Sequence, residues 1–227
     1  MRMPLWTVLL CGIATAIYLV PPLAGVAIYD RDAIASGEWW RLATGNLVHL
    51  SLMQLILDVI ALLVVGTIIE LRGERHWWLI CSTAGTVVGL SVYLTAPEFR
   101  YYGGLSGIVT GAVVYLCLDG LRDTANWRGL CMFVLALVAL KIGIEFSSGD
   151  TLLTVAGSQP FEAVPVSHLA GACAALFVFI LTRGKQLIQS SRASAPGSCS
   201  AGEELALGNH EIEEGKVTSA KSFSKNS

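Results

Sequence analysis

The chain has 227 residues, of which 54% are hydrophobic and 14% charged, and its mean hydropathy is +0.63. Soluble domains carry about 25% charged residues, so this composition excludes an ordinary soluble protein and indicates a polytopic membrane protein. The formal net charge of -2 excludes nothing further, because the charged residues lie in short loops and in the C-terminal segment.

Six apolar segments approach or exceed the ~20 residues with which a helix crosses a bilayer. In chain order they cover 4–28, 47–69, 77–95, 104–118, 130–146 and 164–182. They predict an all-α membrane protein, a bundle of six transmembrane helices over residues 1–183. The polar tail over 184–227 is expected to be disordered. The fourth segment is short for a helix that faces lipid, so we expect other helices to surround it.

The first segment has the position of a secretory signal. It exceeds 20 residues, however, has no small-residue cleavage pattern, and carries Pro21 and Pro22 late. We therefore expect a helix that is retained in the protein.

Lysine and arginine predict the orientation, because these residues concentrate in cytoplasmic loops. With a cytoplasmic N-terminus, seven basic residues fall inside and three outside. The inner group is Arg2, Arg72, Arg75, Arg122, Arg128, Arg183 and Lys185, and the outer group is Arg31, Arg41 and Arg100. We expect both termini in the cytoplasm, with the outer ends of the second, fourth and sixth helices at one membrane level.

The first outer loop and the second segment contain polar residues that we expect to act as anchors. Trp40 and Arg41, in the sequence EWWRL, are expected to hold the loop. Glu70 is expected to anchor its helix, and His49 to fix the outer end of the second helix.

Gln54 and Asp58 are four residues apart, so they share one face of the second helix and point into the same interior. The amide of Gln54 could donate a hydrogen bond to a developing oxyanion. Asp58 would repel an oxyanion when ionised, but burial among apolar residues favours the neutral acid, which could donate.

The fourth segment opens with YYGGLSGIVTG, in which Gly103, Gly107 and Gly111 recur at every fourth position. This spacing lines one helix face with glycine and lets neighbouring helices approach closely. On that interpretation Ser106 is one more small residue. A phosphate-binding loop would need the lysine of G-x-x-x-x-G-K-[ST], and a soluble hydrolase elbow would need glycine where Ile108 stands, so both are excluded.

Lys141 and Glu145 form an i, i+4 pair within the fifth segment. A lone charge at mid-membrane costs about 2.5 to 3.5 kcal/mol on insertion scales. We therefore expect the two to pair with each other or with loops in a structural role. Substrate recognition is the alternative.

His168, in VSHLAGACAAL, lies near the outer start of the sixth segment and is followed by small residues. Ionisable residues within spans are rare and usually functional. If the fourth and sixth helices pack through their small faces, Ser106 could meet His168 as a nucleophile with its general base. The alternative is a core histidine that bonds to backbone.

The six cysteines show no metal-type spacing and are expected to be small buried hydrophobic residues. We expect no cofactor and no metal. The sequence motifs likewise indicate no nucleotide and no nucleic-acid partner.

These motifs together resemble the rhomboid family of intramembrane serine proteases. The resemblance rests on the G-x-S-G sequence at 104–107, on His168 within His-Leu-Ala-Gly, on EWWRL and on HLSLMQLILD, and it covers about residues 30–182. Within the family the chain is most similar to the rhombosortase branch, through GEWWRLATGNLVHLS, the Lys141 and Glu145 spacing, and VPVSHLAGA. That branch is thought to process proteins with a Gly-Gly-containing C-terminal membrane anchor.

The resemblance implies a rhomboid-like six-helix bundle in which Ser106 is the nucleophile and His168 the general base. Gly104 and Gly107 belong to the nucleophile motif, and Gln54 with the Ser106 backbone N–H would hold the oxyanion. The implied substrates are membrane-anchored proteins, reached from the lipid bilayer. The implied location is a bacterial inner membrane, with the active site open to the outer face.

Three positions depart from the family pattern. Gln54 and Asp58 replace its usual histidine and asparagine, and Thr110 replaces an aromatic residue that often stacks on the catalytic histidine. The alternative function is therefore a non-catalytic rhomboid-like protein that binds transmembrane clients. A transporter is a third reading, although internal symmetry is not evident.

Overall fold

The structure is a computed structural model that describes residues 3–74, 76–148 and 164–193. The chain divides into two compact units, Met1–Gly184 and Lys185–Ser227. The residues that form the candidate site all lie in the first unit.

The described residues form mainly helices. In chain order the elements are α1 (Leu5–Leu19), α2 (Pro21–Ala27), β1 (Tyr29–Asp30), α3 (Arg31–Ala35), α4 (Arg41–Thr44), a 3₁₀ turn (Gly45–Leu47), α5 (Leu52–Leu71), α6 (Trp77–Thr95), β2 (Tyr101–Tyr102), α7 (Ser106–Gly120), α8 (Ala125–Ser148) and α9 (Pro165–Ala193). The two short strands pair antiparallel, with Tyr29 opposite Tyr102, and so join the loop after α2 to the chain that leads into α7.

Four helices in the described part of the chain are long and apolar enough to cross a membrane: α5, α6, α8 and the first 19 residues of α9. The pair α1 and α2 raises the number to five if it counts as one span. With 15 residues, α7 is shorter than a usual span. The bundle is thus helical as predicted, while six crossings and cytoplasmic termini stay predictions.

The predicted continuous helix over 4–28 is interrupted at Val20. There the chain leaves the helical conformation (φ -119°, ψ 89°), and α2 turns by 111° relative to α1. Pro21 explains the break, because proline lacks an N–H and disfavours the helical conformation in the residue before it. It then suits the first turn of α2, where the N–H has no helical partner.

The other boundaries differ from the predicted ones for local reasons. The α6 helix matches its predicted segment at both ends. The α5 helix begins after the predicted start at 47, because Ser51 caps it by accepting a hydrogen bond from the Gln54 N–H at 3.2 Å. The α9 helix continues to Ala193, past the predicted boundary at 183, and residues 194–227 of the predicted tail lie outside the described residues.

The core of the bundle lies around α7, in which nine of 15 residues are buried. Its buried side chains pack with residues of α1, α5, α6 and α9 in one apolar cluster. The α8 helix is the reverse case, with 11% of its most apolar stretch buried, so most of its surface faces outward. The expected enclosure of the short fourth segment is therefore present, and it places the start of α7 inside the protein.

Candidate active site

The turn before α7 positions Ser106 as the first residue of that helix. Gly104 adopts φ +134°, a conformation that residues with a side chain rarely adopt. A Cβ atom there would also collide with Nε2 of Gln54, on α5. Gly103 has similarly little room, since a Cβ atom would lie 2.6 Å from the Val48 carbonyl oxygen. The two glycines therefore allow the chain to pass close to α5 and place Ser106 at the helix start.

Glycines bring α7 and α9 into backbone contact. A Cβ atom on Gly107 would lie 3.0 Å from the Ser167 carbonyl oxygen, and one on Gly111 would lie 2.8 Å from that of Gly171. In the other direction, a Cβ atom on Gly171 would overlap the carbonyl oxygen of Gly107. The predicted packing through small faces is thus present, and it sets the neighbours of Gly107 and Ser167, namely Ser106 and His168, at one level of the bundle.

His168 is 5% exposed and belongs to a group of three ionisable side chains, which we call the charge cluster: Lys141, Glu145 and His168. Its Nδ1 lies 2.7 Å from Oε2 of Glu145, whose side chain is completely buried. The Nζ atom of Lys141 lies 2.6 Å from Oε1 of Glu145 and 3.0 Å from Nδ1 of His168. The expected pairing of Lys141 with Glu145 therefore exists, but it extends to the histidine.

No hydrogen bond joins Ser106 Oγ to His168 among the residues that the structure describes. The polar groups within hydrogen-bond distance of the His168 ring are Nζ of Lys141 and the carboxylate of Glu145, both on α8. Catalytic hydrogen bonds are often long in the absence of substrate and tighten in the complex. The helices that carry Ser106 and His168 are in backbone contact at this level.

Gln54 and Asp58 lie beneath the turn that precedes Ser106. Nε2 of Gln54 donates to the Gly103 carbonyl oxygen at 3.0 Å, and its Oε1 accepts from the Leu50 N–H at 3.2 Å. Oδ2 of Asp58 lies 3.2 Å from Nε2 of His49, whose side chain is fully buried. An amide has two N–H groups, so Gln54 keeps one donor besides the bond to Gly103. Asp58 instead pairs with His49, which precedes the start of α5.

Two other residues singled out in the sequence contact backbone elsewhere in the bundle. Arg41 donates to the carbonyl oxygens of Gly25 and Ile28 at 3.0 and 2.8 Å, and the Trp40 indole N–H donates to that of Val26 at 3.4 Å. These bonds tie α2 to α4.

Glu70 lies at the opposite end of α5 from Gln54. Its Oε1 accepts hydrogen bonds from the backbone N–H and the hydroxyl of Thr7, both at 2.6 Å. It thereby satisfies a free N–H at the start of α1 and ties that helix to α5.

Asn46 is a structural residue that the sequence reasoning missed. It is fully buried, and its Nδ2 lies within hydrogen-bond distance of the carbonyl oxygens of Leu42, Ala43 and Gly85, the last at 2.8 Å. It joins the segment between α4 and α5 to α6. The signal was a polar residue between Gly45 and an apolar run, which the pattern alone does not distinguish from a loop residue.

Metal ligands are a separate question. No group of three or more His, Cys, Asp or Glu that could hold a metal occurs in the described ranges.

Comparison with known proteins agrees with this arrangement. Residues 36–185, about two thirds of the chain, match the family model described as the rhomboid domain, so the chain belongs to the rhomboid family. The sequence resemblance to that family is therefore confirmed.

Two curated relatives from Bacillus subtilis (strain 168) show the same similarity. "Rhomboid protease GluP" is 29% identical over 125 residues, which cover 53% of this chain and 24% of that protein. "Putative rhomboid protease YdcA" is 23% identical over 150 residues, which cover 65% of this chain and 69% of that protein. The chain thus matches about a quarter of the length of the first relative and about two thirds of the second.

Proposed function

We propose that the protein is an intramembrane serine endopeptidase that cleaves membrane-anchored proteins at or near their transmembrane segments. The observation that carries this proposal is the glycine contact between α7 and α9, because it sets Ser106 and His168 at one level inside the bundle. Membership of the rhomboid family and relatives named as rhomboid proteases support it.

The reaction would be acyl transfer to water. Ser106 Oγ attacks the scissile carbonyl carbon while its proton passes to His168, and the carbonyl electron pair moves to the oxygen. His168 then gives that proton to the leaving nitrogen as the C–N bond breaks, which leaves an acyl-enzyme. Water then attacks the acyl carbonyl carbon and gives its proton to His168. His168 passes that proton to Ser106 Oγ as the ester C–O bond breaks, which releases the carboxylic acid product and restores Ser106.

The oxyanion would be held by the backbone N–H of Ser106 and the side-chain amide of Gln54. Gln54 suits this role because the bond to Gly103 fixes its amide beside the turn that carries Ser106. Asp58 has a different part in this proposal: through His49 it holds the outer end of α5.

We propose a rhombosortase-like specificity, for proteins with a Gly-Gly-containing C-terminal anchor, because of the loop and helix motifs described above. Six crossings, with both termini in the cytoplasm of a bacterium and the active site open to the outer face, agree with the distribution of basic residues. Substrate would then enter laterally from the lipid, where small or helix-breaking residues expose its backbone.

A second candidate function is the binding of transmembrane clients without catalysis. The observation that favours it is the engagement of the His168 ring by Glu145 and Lys141, with no bond to Ser106 in the described part of the chain. Against it stands the retention of both Ser106 and His168.

Labelling with a fluorophosphonate, a serine-directed probe, separates the two functions. The purified protein in detergent is expected to be labelled, and Ser106→Ala is expected to abolish labelling. The control is Ser82→Ala, which removes an exposed hydroxyl on α6 that bonds only to the Leu79 carbonyl oxygen. Labelling that survives in Ser106→Ala, or is absent from a folded parent protein, would contradict the proposed nucleophile.

A further inference from the structure

Within the charge cluster, Glu145 contacts His168 as well as its ion-pair partner Lys141. Lys141 and Glu145 are one turn apart on α8, and a pair with each other would satisfy both. Instead, the carboxylate uses one oxygen for Lys141 and the other for Nδ1 of His168, at 2.6 and 2.7 Å. The side chains of Glu145 and His168 are 0% and 6% exposed, so no water layer weakens this contact.

The contact with Glu145 defines the tautomer of His168. An ionised carboxylate only accepts hydrogen bonds, so the 2.7 Å approach requires a proton on Nδ1. A neutral imidazole then carries its lone pair on Nε2, which makes Nε2 the nitrogen that can accept a proton. Lys141 at the second carboxylate oxygen places a positive charge 2.6 Å from the fully buried Glu145 carboxylate and pairs with it.

We propose that Glu145 is a positioning residue for His168 and extends the serine–histidine pair to a Ser106–His168–Glu145 triad. This inference rests on the proposed peptidase function. During attack, the proton of Ser106 Oγ moves to Nε2, the Nδ1 proton stays in its bond to Glu145, and the carboxylate stabilises the imidazolium that forms. The proton later leaves from Nε2, so Glu145 gains and loses none.

The charged groups that face His168 come from two helices. Lys141 and Glu145 are on α8, and Asp58 on α5 also acts on the imidazole electrostatically. From α7, which packs against Ser167 through Gly107, the nearby polar group is Ser106. Removing the Glu145 charge therefore leaves Lys141 against the ring and disfavours the imidazolium.

The first test measures cleavage of a membrane-anchored reporter against pH for the parent protein, Glu145→Gln and Glu145→Asp in proteoliposomes. We expect Glu145→Gln to lower kcat roughly 10²- to 10⁴-fold with little change in KM. The acidic limb of kcat/KM should move to lower pH, because the imidazolium has lost its carboxylate. Glu145→Asp, which keeps the charge, should restore part of kcat and return the acidic limb of kcat/KM to the pH of the parent protein.

The matched control is Glu70→Gln, which removes another carboxylate that accepts hydrogen bonds on a bundle helix. Glu70 lies about 24 Å along α5 from Gln54, and its partner is Thr7. This variant is expected to change the stability of the protein but not the pH at which the acidic limb of kcat/KM falls. A folded Glu145→Gln protein with the same kcat as the parent, and with the acidic limb of kcat/KM at the same pH, would overturn the triad.

The second test does not depend on activity or on a substitution at Glu145. Nitrogen-15 NMR of histidine-labelled parent protein, with His168 assigned by comparison with His168→Gln, reports which ring nitrogen carries the proton. We expect the proton on Nδ1 at neutral pH, and the Nε2 tautomer for His168 in the parent would overturn the inference. If His168 carries its proton on Nδ1 but the parent protein cleaves no reporter, Glu145 still positions His168, and it is the proposed peptidase function that is wrong.

Discussion

Gln54 stands where the family pattern that the sequence resembles usually has histidine, and its geometry supports the oxyanion role proposed for it. Its amide bonds to the Gly103 carbonyl oxygen, and a Cβ atom on Gly104 would collide with it. A side chain held this closely against the turn before Ser106 is pre-organised to donate to an oxyanion. The replacement of histidine by glutamine therefore keeps a donor at this position.

We expect Gln54→Ala to lower kcat roughly 10²- to 10³-fold, the usual loss when one oxyanion donor is removed. Asp58→Asn is the matched comparison, because an amide can keep a bond to His49 while the charge disappears. Steady-state cleavage in proteoliposomes should show a loss below tenfold for Asp58→Asn. Equal losses in the two variants would contradict the separate roles of Gln54 and Asp58.

At the scale of elements, the contact between α7 and α9 is the feature on which the site depends. Gly107, Gly111 and Gly171 remove the side chains between two helices, so their backbones meet. The first turn of each helix carries one of the two residues proposed to react. Any separation of these helices therefore acts on stability and on catalysis together.

Gly171→Ala is expected to destabilise the protein by about 1 to 3 kcal/mol, the usual cost of overpacking, because its Cβ atom would overlap the Gly107 carbonyl oxygen. The control is Gly129→Ala, which adds the same methyl group on α8 where no atom lies within 4 Å. Unfolding in mixed detergent micelles should show a large loss in the free energy of unfolding for Gly171→Ala and none for Gly129→Ala. A Gly171→Ala protein as stable and as active as Gly129→Ala would contradict close helix contact.

The sequence predicts some of these elements well because their signals are local. Apolar length predicts α6 at both ends, and the glycine and alanine spacing in the fourth and sixth segments predicts the face through which α7 and α9 pack. The break at Val20 also has a local cause in Pro21. Treating 4–28 as one helix gave too much weight to apolar length.

The contact between Glu145 and His168 could not be predicted in the same way. It joins residues 23 positions apart on two helices, and only the packing of α8 against α9 brings them together. The i, i+4 spacing of Lys141 and Glu145 predicts their pair but carries no information about a third partner. Asn46 was missed for the same reason, since its partner Gly85 lies 39 residues away.

At the scale of the whole molecule, an ion-pair network connects the ends of several helices on one side of the bundle. Arg183 of α9 contacts Glu74 and Asp119 at 3.0 and 2.7 Å, and Arg72 contacts Asp123 at 2.6 Å. Glu74 also accepts a hydrogen bond from the Tyr115 hydroxyl at 2.7 Å. The network therefore joins the α5–α6 loop to α7 and α9.

The pKa of Glu74 is lowered from its ordinary value of 4.5: burial opposes ionisation, but hydrogen bonds from Tyr115 and His76 and the Arg183 charge outweigh it. A carboxyl with a lowered folded-state pKa stabilises the fold above its unfolded pKa and loses that contribution as pH falls through the folded value. Thermal unfolding in detergent should therefore show the midpoint falling as pH drops below about 4.5. Glu74→Gln should have a lower midpoint at pH 7 and a smaller fall with acid. An equal acid dependence in both proteins would contradict this role.

The whole molecule combines a rhomboid domain over residues 36–185 with a charge cluster that contains its candidate catalytic histidine. The measurement that tests the account most directly is cleavage in proteoliposomes of two reporters, one with a Gly-Gly-containing C-terminal anchor and one a general rhomboid substrate. The proteins compared are the parent, Ser106→Ala, His168→Ala and the control Ser82→Ala. Cleavage of the Gly-Gly reporter by the parent and Ser82→Ala alone is the predicted result. If the parent cleaves only the general substrate, the peptidase function stands and the rhombosortase-like specificity is wrong. If all four folded proteins bind both reporters but cleave neither, catalysis itself is contradicted.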